Sequence, residues 1–257
     1  MNLKEQAVSI DASGVATLTI CNGGPLNIIS RQVAQDLTAL IHSLAKDTAI
    51  KVLIIQGTGS KTFMGGADIK EMVALKPDSA KEFITALYEL CEAVRLFPAP
   101  TIARIDGWCI GVGFELAACC DMRYASTSSQ FTMPEVKIGI PSVIQGALLS
   151  RLIGEGRARW LMLSGNAIDA QTGLNWGLLN GVETSENLHA HVDEFARELA
   201  ECGAVGMRMQ KQLLIEWEAP HLNDAVKLSI ERFGEVFESD EPHAFMSEFF
   251  RNKKKKD

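Results

Sequence analysis

Two segments of this 257-residue chain carry residues whose order suits chemistry at a polarised carbonyl. The first is Phe63-Met64-Gly65-Gly66-Ala67-Asp68-Ile69. Paired glycines let the backbone take unusual angles and let a ligand come close to the main chain. The run Asp68-Ile69-Lys70-Glu71-Met72 can open a helix, so amides near Ala67 can point outward without an intrahelical acceptor. The second segment is Asp106-Gly107-Trp108-Cys109-Ile110-Gly111-Val112-Gly113-Phe114-Glu115. Here too glycines precede a helix start, and the free N–H groups at 112 and 113 face whatever lies ahead of that helix. Two such groups meeting at one oxygen form an oxyanion hole, which holds the negative charge developing on a thioester carbonyl. Helix N-termini add a favourable dipole at the same point. Because the donors are main chain, Val112 serves as well as a glycine, provided its backbone reaches the required angles.

Glu115 lies in the first turns of the helix that supplies the second donor, inside the apolar run FELAACC. A carboxylate there needs either a partner or a function, and burial favours function. Glu135, in Phe131-Thr132-Met133-Pro134-Glu135-Val136, follows a proline that restricts the backbone before it. On its residues alone, Glu135 is balanced between a structural and a chemical role.

Other motifs give less. Gly57-Thr58-Gly59-Ser60-Lys61-Thr62 resembles a phosphate-binding loop, but Ser60 stands where the pattern needs a glycine before the lysine, so a plain turn is expected. No G-x-G-x-x-G follows a strand, and no G-x-S-x-G is present, which removes support for a nicotinamide dehydrogenase or a serine hydrolase. His189 and His191 are two apart on an expected helix, point to different faces, and are read as surface residues. The six cysteines, at 21, 91, 109, 119, 120 and 202, form no C-x-x-C pair and read as small buried hydrophobes in a reducing compartment. No metal site is expected.

The elements that must position these residues follow from periodicity. Residues 15–20 alternate as a strand, and a turn-rich NGGP follows. Val33, Leu37, Leu40, Ile41 and Leu44 share a helical face, and residues 51–57 read as a buried strand. Phe83, Leu87, Leu90, Val94 and Phe97 make a second helical stripe that Pro98 stops. A third strand is expected over 100–107, and a helix off a tight turn over 111–120. Strands alternating with helices predict an α/β fold of repeated βαβ-like units. From about residue 186 the pattern becomes helical, with runs at 186–201, 204–217 and 222–238, a short tail near 242–252 and a lysine-rich end. We therefore divide the chain into a core, 1–190, and a helical C-terminal section, 191–257.

Composition sets outer limits. With 47% hydrophobic and 22% charged residues the chain has ample core material. A net charge of −7 argues against nucleic acid or an anionic membrane surface as a partner, while leaving room for a local basic pocket. The first residues lack the apolar segment of a signal peptide, and no apolar run approaches the roughly 18 residues of a membrane span. A cytoplasmic protein is expected.

FMGGADIKEM, then GWCIGVGFELAACCDMRYAS, then SQFTMPEVKIGIPS resemble the signature set of the enoyl-CoA hydratase/isomerase (crotonase) superfamily. The likeness runs in good register over about residues 10–185. It implies a spiral of repeated ββα units carrying the active site, with a helical C-terminal section for trimerisation, and a homotrimer or homohexamer. It places oxyanion donors on the backbone N–H groups of Ala67 and Val112. It places contacts with substrate or CoA on Gly66, Ala67, Asp68, Ile69, Lys70 and Gly111, and the acid/base pair on Glu115 and Glu135. It implies an acyl-CoA thioester as substrate, with no metal and no cofactor apart from the CoA that the substrate brings.

That resemblance implies an enoyl-CoA hydratase, with Glu115 activating water and Glu135 protonating the α-carbon. The alternatives are an enoyl-CoA Δ-isomerase, a carnitinyl-CoA-like dehydratase, or a catalytically silent subunit that binds CoA thioesters. The chain departs from the family's hydratases at several points. Its second loop reads G-V-G where they carry G-G-G. Gln145, in IGIPSVIQGALLSRL, stands where a glutamate is expected. The ending AFMSEFFRNKKKKD departs from the usual basic–aromatic tail around Lys253 and Lys254.

Overall fold

The first eight strands of this chain come in pairs, and each pair runs into a helix or turn. The computed structural model describes residues 8–22, 24–216, 230, 233–234, 237–238 and 240–253. It opens with the hairpin β1 (Val8–Ile10) and β2 (Val15–Ile20), followed by helix α1 (Arg31–Leu44). Three units follow. The first is β3 (Val52–Gly57), β4 (Thr62–Met64), α2 (Ile69–Met72) and α3 (Pro77–Arg95). The second is β5 (Thr101–Ile105), β6 (Trp108–Ile110) and α4 (Val112–Cys119). The third is β7 (Met122–Ser126) and β8 (Gln130–Thr132), then 3-10 turns at Glu135–Ile138 and Ile144–Leu148, α5 (Leu149–Ile153) and α6 (Glu155–Ser164). The chain ends through β9 (Ile168–Asp169), α7 (Ala170–Asn175), β10 (Gly181–Glu183), α8 (Ser185–Glu201), α9 (Ala204–Glu216) and α10 (Glu241–Lys253).

The first strand of each unit enters a six-stranded sheet ordered β1-β2-β3-β5-β7-β10, parallel apart from the β1–β2 hairpin. The second strand enters a four-stranded sheet, β4-β6-β8-β9, in which β4, β6 and β8 are parallel. The chain thus winds as a spiral of ββα units, as the resemblance implies. Strand β3 reads VLII through its first four residues, all buried, because both faces of its sheet are covered. On α3 the stripe Phe83, Leu87, Leu90 and Val94 is buried, and Pro77 starts the helix where a missing N–H costs nothing. Phe97, expected on the same stripe, is buried just beyond the helix end.

Helix α8 covers the far face of the large sheet, setting Leu188, Val192 and Ala196 against Val52, Ile54 and Ile102. Arg104 of β5 pins it, with a 2.6 Å ion pair to Asp193 and a 3.3 Å bond to the His189 carbonyl. The division between 190 and 191 falls inside this helix. His189 and His191 are both exposed, and His191 meets Tyr124 edge-on. Residues 58–61 make the short connection between β3 and β4. Cys91, Cys109, Cys119 and Cys120 are buried as expected, but Cys21 and Cys202 are exposed, since each lies just past the end of its element. Most of the helical run expected over 222–238, and lysines 254–256, fall outside the described residues. No helix among the described residues is long and apolar enough to cross a membrane.

Candidate active site

Strands β4 and β6 lie side by side, and the chain leaves each of them toward the same pocket. After β4, Gly65-Gly66-Ala67 runs past Ile29 in a single parallel bridge. Ile29 donates to the Gly66 carbonyl at 2.9 Å, and Asp68 donates to the Ile29 carbonyl at 2.9 Å. In such a bridge the residue between the two bonds turns its own N–H to the opposite side. Ala67 does so at the pocket wall. Asp68 caps α2, its carboxylate accepting from the Lys70 amide at 2.9 Å.

After β6, Gly111 takes φ 53°, a left-handed conformation that favours glycine. Its carbonyl accepts from Phe114 and Glu115 at 2.8 and 3.0 Å, opening α4. As the first residue of α4, Val112 has no carbonyl one turn earlier to which its amide can donate. Gly113 brings this helix start against β4: a methyl there would lie 2.6 Å from the Met64 carbonyl oxygen. Two outward-facing amides, one from each loop, therefore belong to adjoining walls of one pocket.

Both glutamates enter that pocket, which encloses about 580 Å³ including its open mouth. Glu115 is 4% exposed, and its Oε1 accepts from the Gly146 amide at 3.0 Å. Burial pushes its carboxyl well above the ordinary carboxylate range, the nearby charge of Glu135 pushes the same way, and the Gly146 amide opposes them. Glu135 comes from the turn after Pro134 and is half-buried. Its Oε2 accepts from Ser142 Oγ at 2.8 Å. Burial raises this carboxyl too, partly offset by the Ser142 hydroxyl. Gly111 also leaves room for Glu135, whose Oε1 would lie 2.5 Å from a methyl there. Beyond the carboxylates the walls turn apolar, with Met72, Phe83, Ile84, Leu87, Ile140 and Phe233.

Of the residues singled out from sequence, Gly66, Ala67, Ile69, Gly111, Val112, Glu115 and Glu135 line this pocket. Asp68 and Lys70 do not: Asp68 is committed to its cap, and Lys70 is exposed on the outer side of α2. The sequence reading missed the partners of the carboxylates, Ser142 and Gly146, and the apolar end wall. A serine after proline and a glycine in a loop carry no signal of their own. Phe233 arrives from a segment distant in sequence. Among the described residues no group of three or more His, Cys, Asp or Glu side chains is placed to hold a metal ion.

A spiral of ββα units whose glycine loops and carboxylates share one pocket is the architecture of a crotonase-superfamily enzyme, and the chain belongs to the enoyl-CoA hydratase/isomerase family, whose model matches residues 11–256. The chain is 30% identical over 241 residues to the short-chain-enoyl-CoA hydratase of Clostridium acetobutylicum, covering 93% of this chain and 92% of that one. It is 30% identical over 241 residues to the crotonyl-CoA hydratase of Syntrophomonas wolfei, covering 93% of each. The crystal structure of an enoyl-CoA hydratase from Mycobacterium avium subsp. paratuberculosis superposes with a TM-score of 0.84, at 25% identity over 95% of each chain.

Proposed function

We propose that this protein is an enoyl-CoA hydratase, adding water reversibly across the 2,3 double bond of a 2-enoyl-CoA thioester. The observation that carries this reading is the pair Glu115 and Glu135 in one otherwise apolar pocket, Glu115 held by the Gly146 amide and Glu135 by the Ser142 hydroxyl. Hydration needs a water oxygen delivered to the β-carbon and a proton delivered to the α-carbon. Glu115 must be ionised for its part, a form that burial and the Glu135 charge disfavour, and it then takes a proton from the water as the water oxygen bonds the β-carbon. Glu135, protonated, gives its proton to the α-carbon. The charge that builds on the thioester oxygen between these events rests on the Ala67 and Val112 amides, and removing one such donor typically costs about 2.7–4 kcal/mol of barrier. Burial raises both carboxyls above the ordinary carboxylate range, which makes each a stronger proton acceptor than an exposed glutamate.

CoA takes part as a portion of the substrate, and no further cofactor enters the scheme. The apolar end wall suits an unsubstituted acyl chain. The names of the Clostridium and Syntrophomonas relatives point the same way. We extend the same reading to a homotrimer or homohexamer. The test is to incubate the protein with crotonyl-CoA and longer 2-enoyl-CoAs and follow the conjugated thioester absorbance. Loss of absorbance is expected, and no loss across the series counts against hydration. A 3-enoyl-CoA that gains conjugation without adding solvent would point to the isomerase instead.

A further inference from the structure

Gln145 is a polar side chain for which hydration as described above has no use, and it is 1% exposed. It sits in the Ile144–Leu148 turn, directly before Gly146, whose amide holds Glu115. Gln145 Nε2 donates to Glu92 Oε1 at 2.9 Å. The same carboxylate accepts from Arg95 Nε and Nη2 at 2.7 Å each. Because an ionised carboxylate only accepts, the Gln145 amide must turn its nitrogen toward Glu92. Its Oε1 is then buried with no hydrogen-bond partner among the described residues.

The backbone beside it supplies a second observation. Ile144 is fully buried at φ 40°. A β-branched residue at positive φ is strained and persists only where its surroundings hold it there. Three consecutive residues thus carry a strained backbone, a clamp onto α3 and the hydrogen bond to Glu115.

We propose that Gln145 is a positioning residue for hydration: gripped by the Arg95–Glu92 pair, it fixes the strained turn so that the Gly146 N–H stays on Glu115 Oε1. As a neutral amide it does this without adding a negative charge behind the site. The role rests on the hydratase reading. Glu115 is faced by Glu135 across the pocket and by Cys91 from α3, with Cys119 beside Cys91. Glu92 is faced by Arg95 and Tyr88 on its own helix. A glutamate at 145 would set a second carboxylate against Glu92 and disfavour the ionised form of Glu115. Removing the charge of Glu92 would act in the opposite direction.

The experiment is the pH profile of kcat and KM for crotonyl-CoA hydration in the wild type, Q145L, Q145E, E92Q and the double variant E92Q/Q145E, with thermal melts to show that each is folded. Q145L is expected to lower kcat about ten- to a hundred-fold with KM little changed, the scale of a small misplacement of a reacting group. Q145E moves the acid limb to higher pH, E92Q moves it to lower pH, and the double variant returns it toward wild type by remaking the amide–carboxylate bond in reverse. A folded Q145L with wild-type kcat overturns the proposal, as do acid limbs that coincide in Q145E and E92Q. If Q145L does not fold, the opposed shifts of Q145E and E92Q decide. If the wild type hydrates no enoyl-CoA, the hydratase reading fails first and the positioning role falls with it.

Discussion

At the residue scale, the two glutamates differ in depth and therefore in what each costs the fold. Glu115 is almost wholly buried, and its folded carboxyl lies well above the ordinary value of 4.5. An acid whose pKa is raised by folding binds protons more tightly in the native state. Its stability contribution is fully present below the unfolded value and is lost as pH rises through the folded one. Glu115→Gln keeps the shape and an acceptor for the Gly146 amide while removing the charge. The variant should therefore melt higher than wild type at pH 8 and equal to it near pH 4. The gain is about 1.4 kcal/mol for each unit separating the two values, and paired melts at the two pH values check it. The same variant should lose about 10²- to 10⁴-fold in kcat, the usual worth of a positioned acid or base, as steady-state kinetics would read. Ser142→Ala acts on the partner glutamate. Without its donor the Glu135 carboxyl rises further. In the proposed mechanism Glu135 acts in its protonated form, so the basic limb of the kcat profile should move to higher pH, whereas a limb that stays in place would detach Ser142 from the chemistry.

At the element scale, the site depends on how closely α4 approaches β4. Gly113→Ala would drive a methyl into the Met64 carbonyl oxygen, backbone that cannot swing aside. Overpacking of this kind costs about 1–3 kcal/mol. It should also part the Val112 amide from the Ala67 loop, so kcat falls more than KM rises; urea midpoints and kinetics on the same preparation check both. The elements differ in how far they could be read from sequence. Strand β3 was legible as an unbroken run of four apolar residues, and α3 as an apolar stripe at helical spacing. Strands β4, β6 and β8 have three residues each, too few for any alternation, yet they build the second sheet that brings the two glycine loops together. At the site, Glu115 stood out because a charge in FELAACC is a local anomaly. The clamp of Gln145 on Glu92 joins residues 53 apart and becomes visible only when α3 and the 144–148 turn are packed together.

At the scale of the whole molecule, a buried polar anchor among the described residues fastens α9 of the helical C-terminal section to the core. Lys211 is 4% exposed, and its Nζ donates to Asp121 at 2.8 Å and to the Ala99 carbonyl at 3.0 Å. Asp121 also accepts from the Thr101 amide and hydroxyl, at 2.7 and 2.9 Å, so a single carboxylate ties α9 to the start of β5 and the end of α4. Arg208 adds a 2.8 Å bond to the Ile50 carbonyl. The outer face of α9 contributes little packing, since Val205 and Met209 are exposed. Lys211→Ala leaves Asp121 with neutral donors alone and strands a buried carbonyl. Asp121 is 31% exposed, so water moderates the loss. We expect about 1–3 kcal/mol, the range for leaving a buried polar group without its partner. The effect should be local: amides of residues 204–216 exchange much faster, while those of β3 and β5 keep their protection because the sheets and α8 hold without α9. Hydrogen exchange resolved by peptide checks this. Equal acceleration across β3 and β5 would mean instead that α9 is part of one cooperative unit with the sheets.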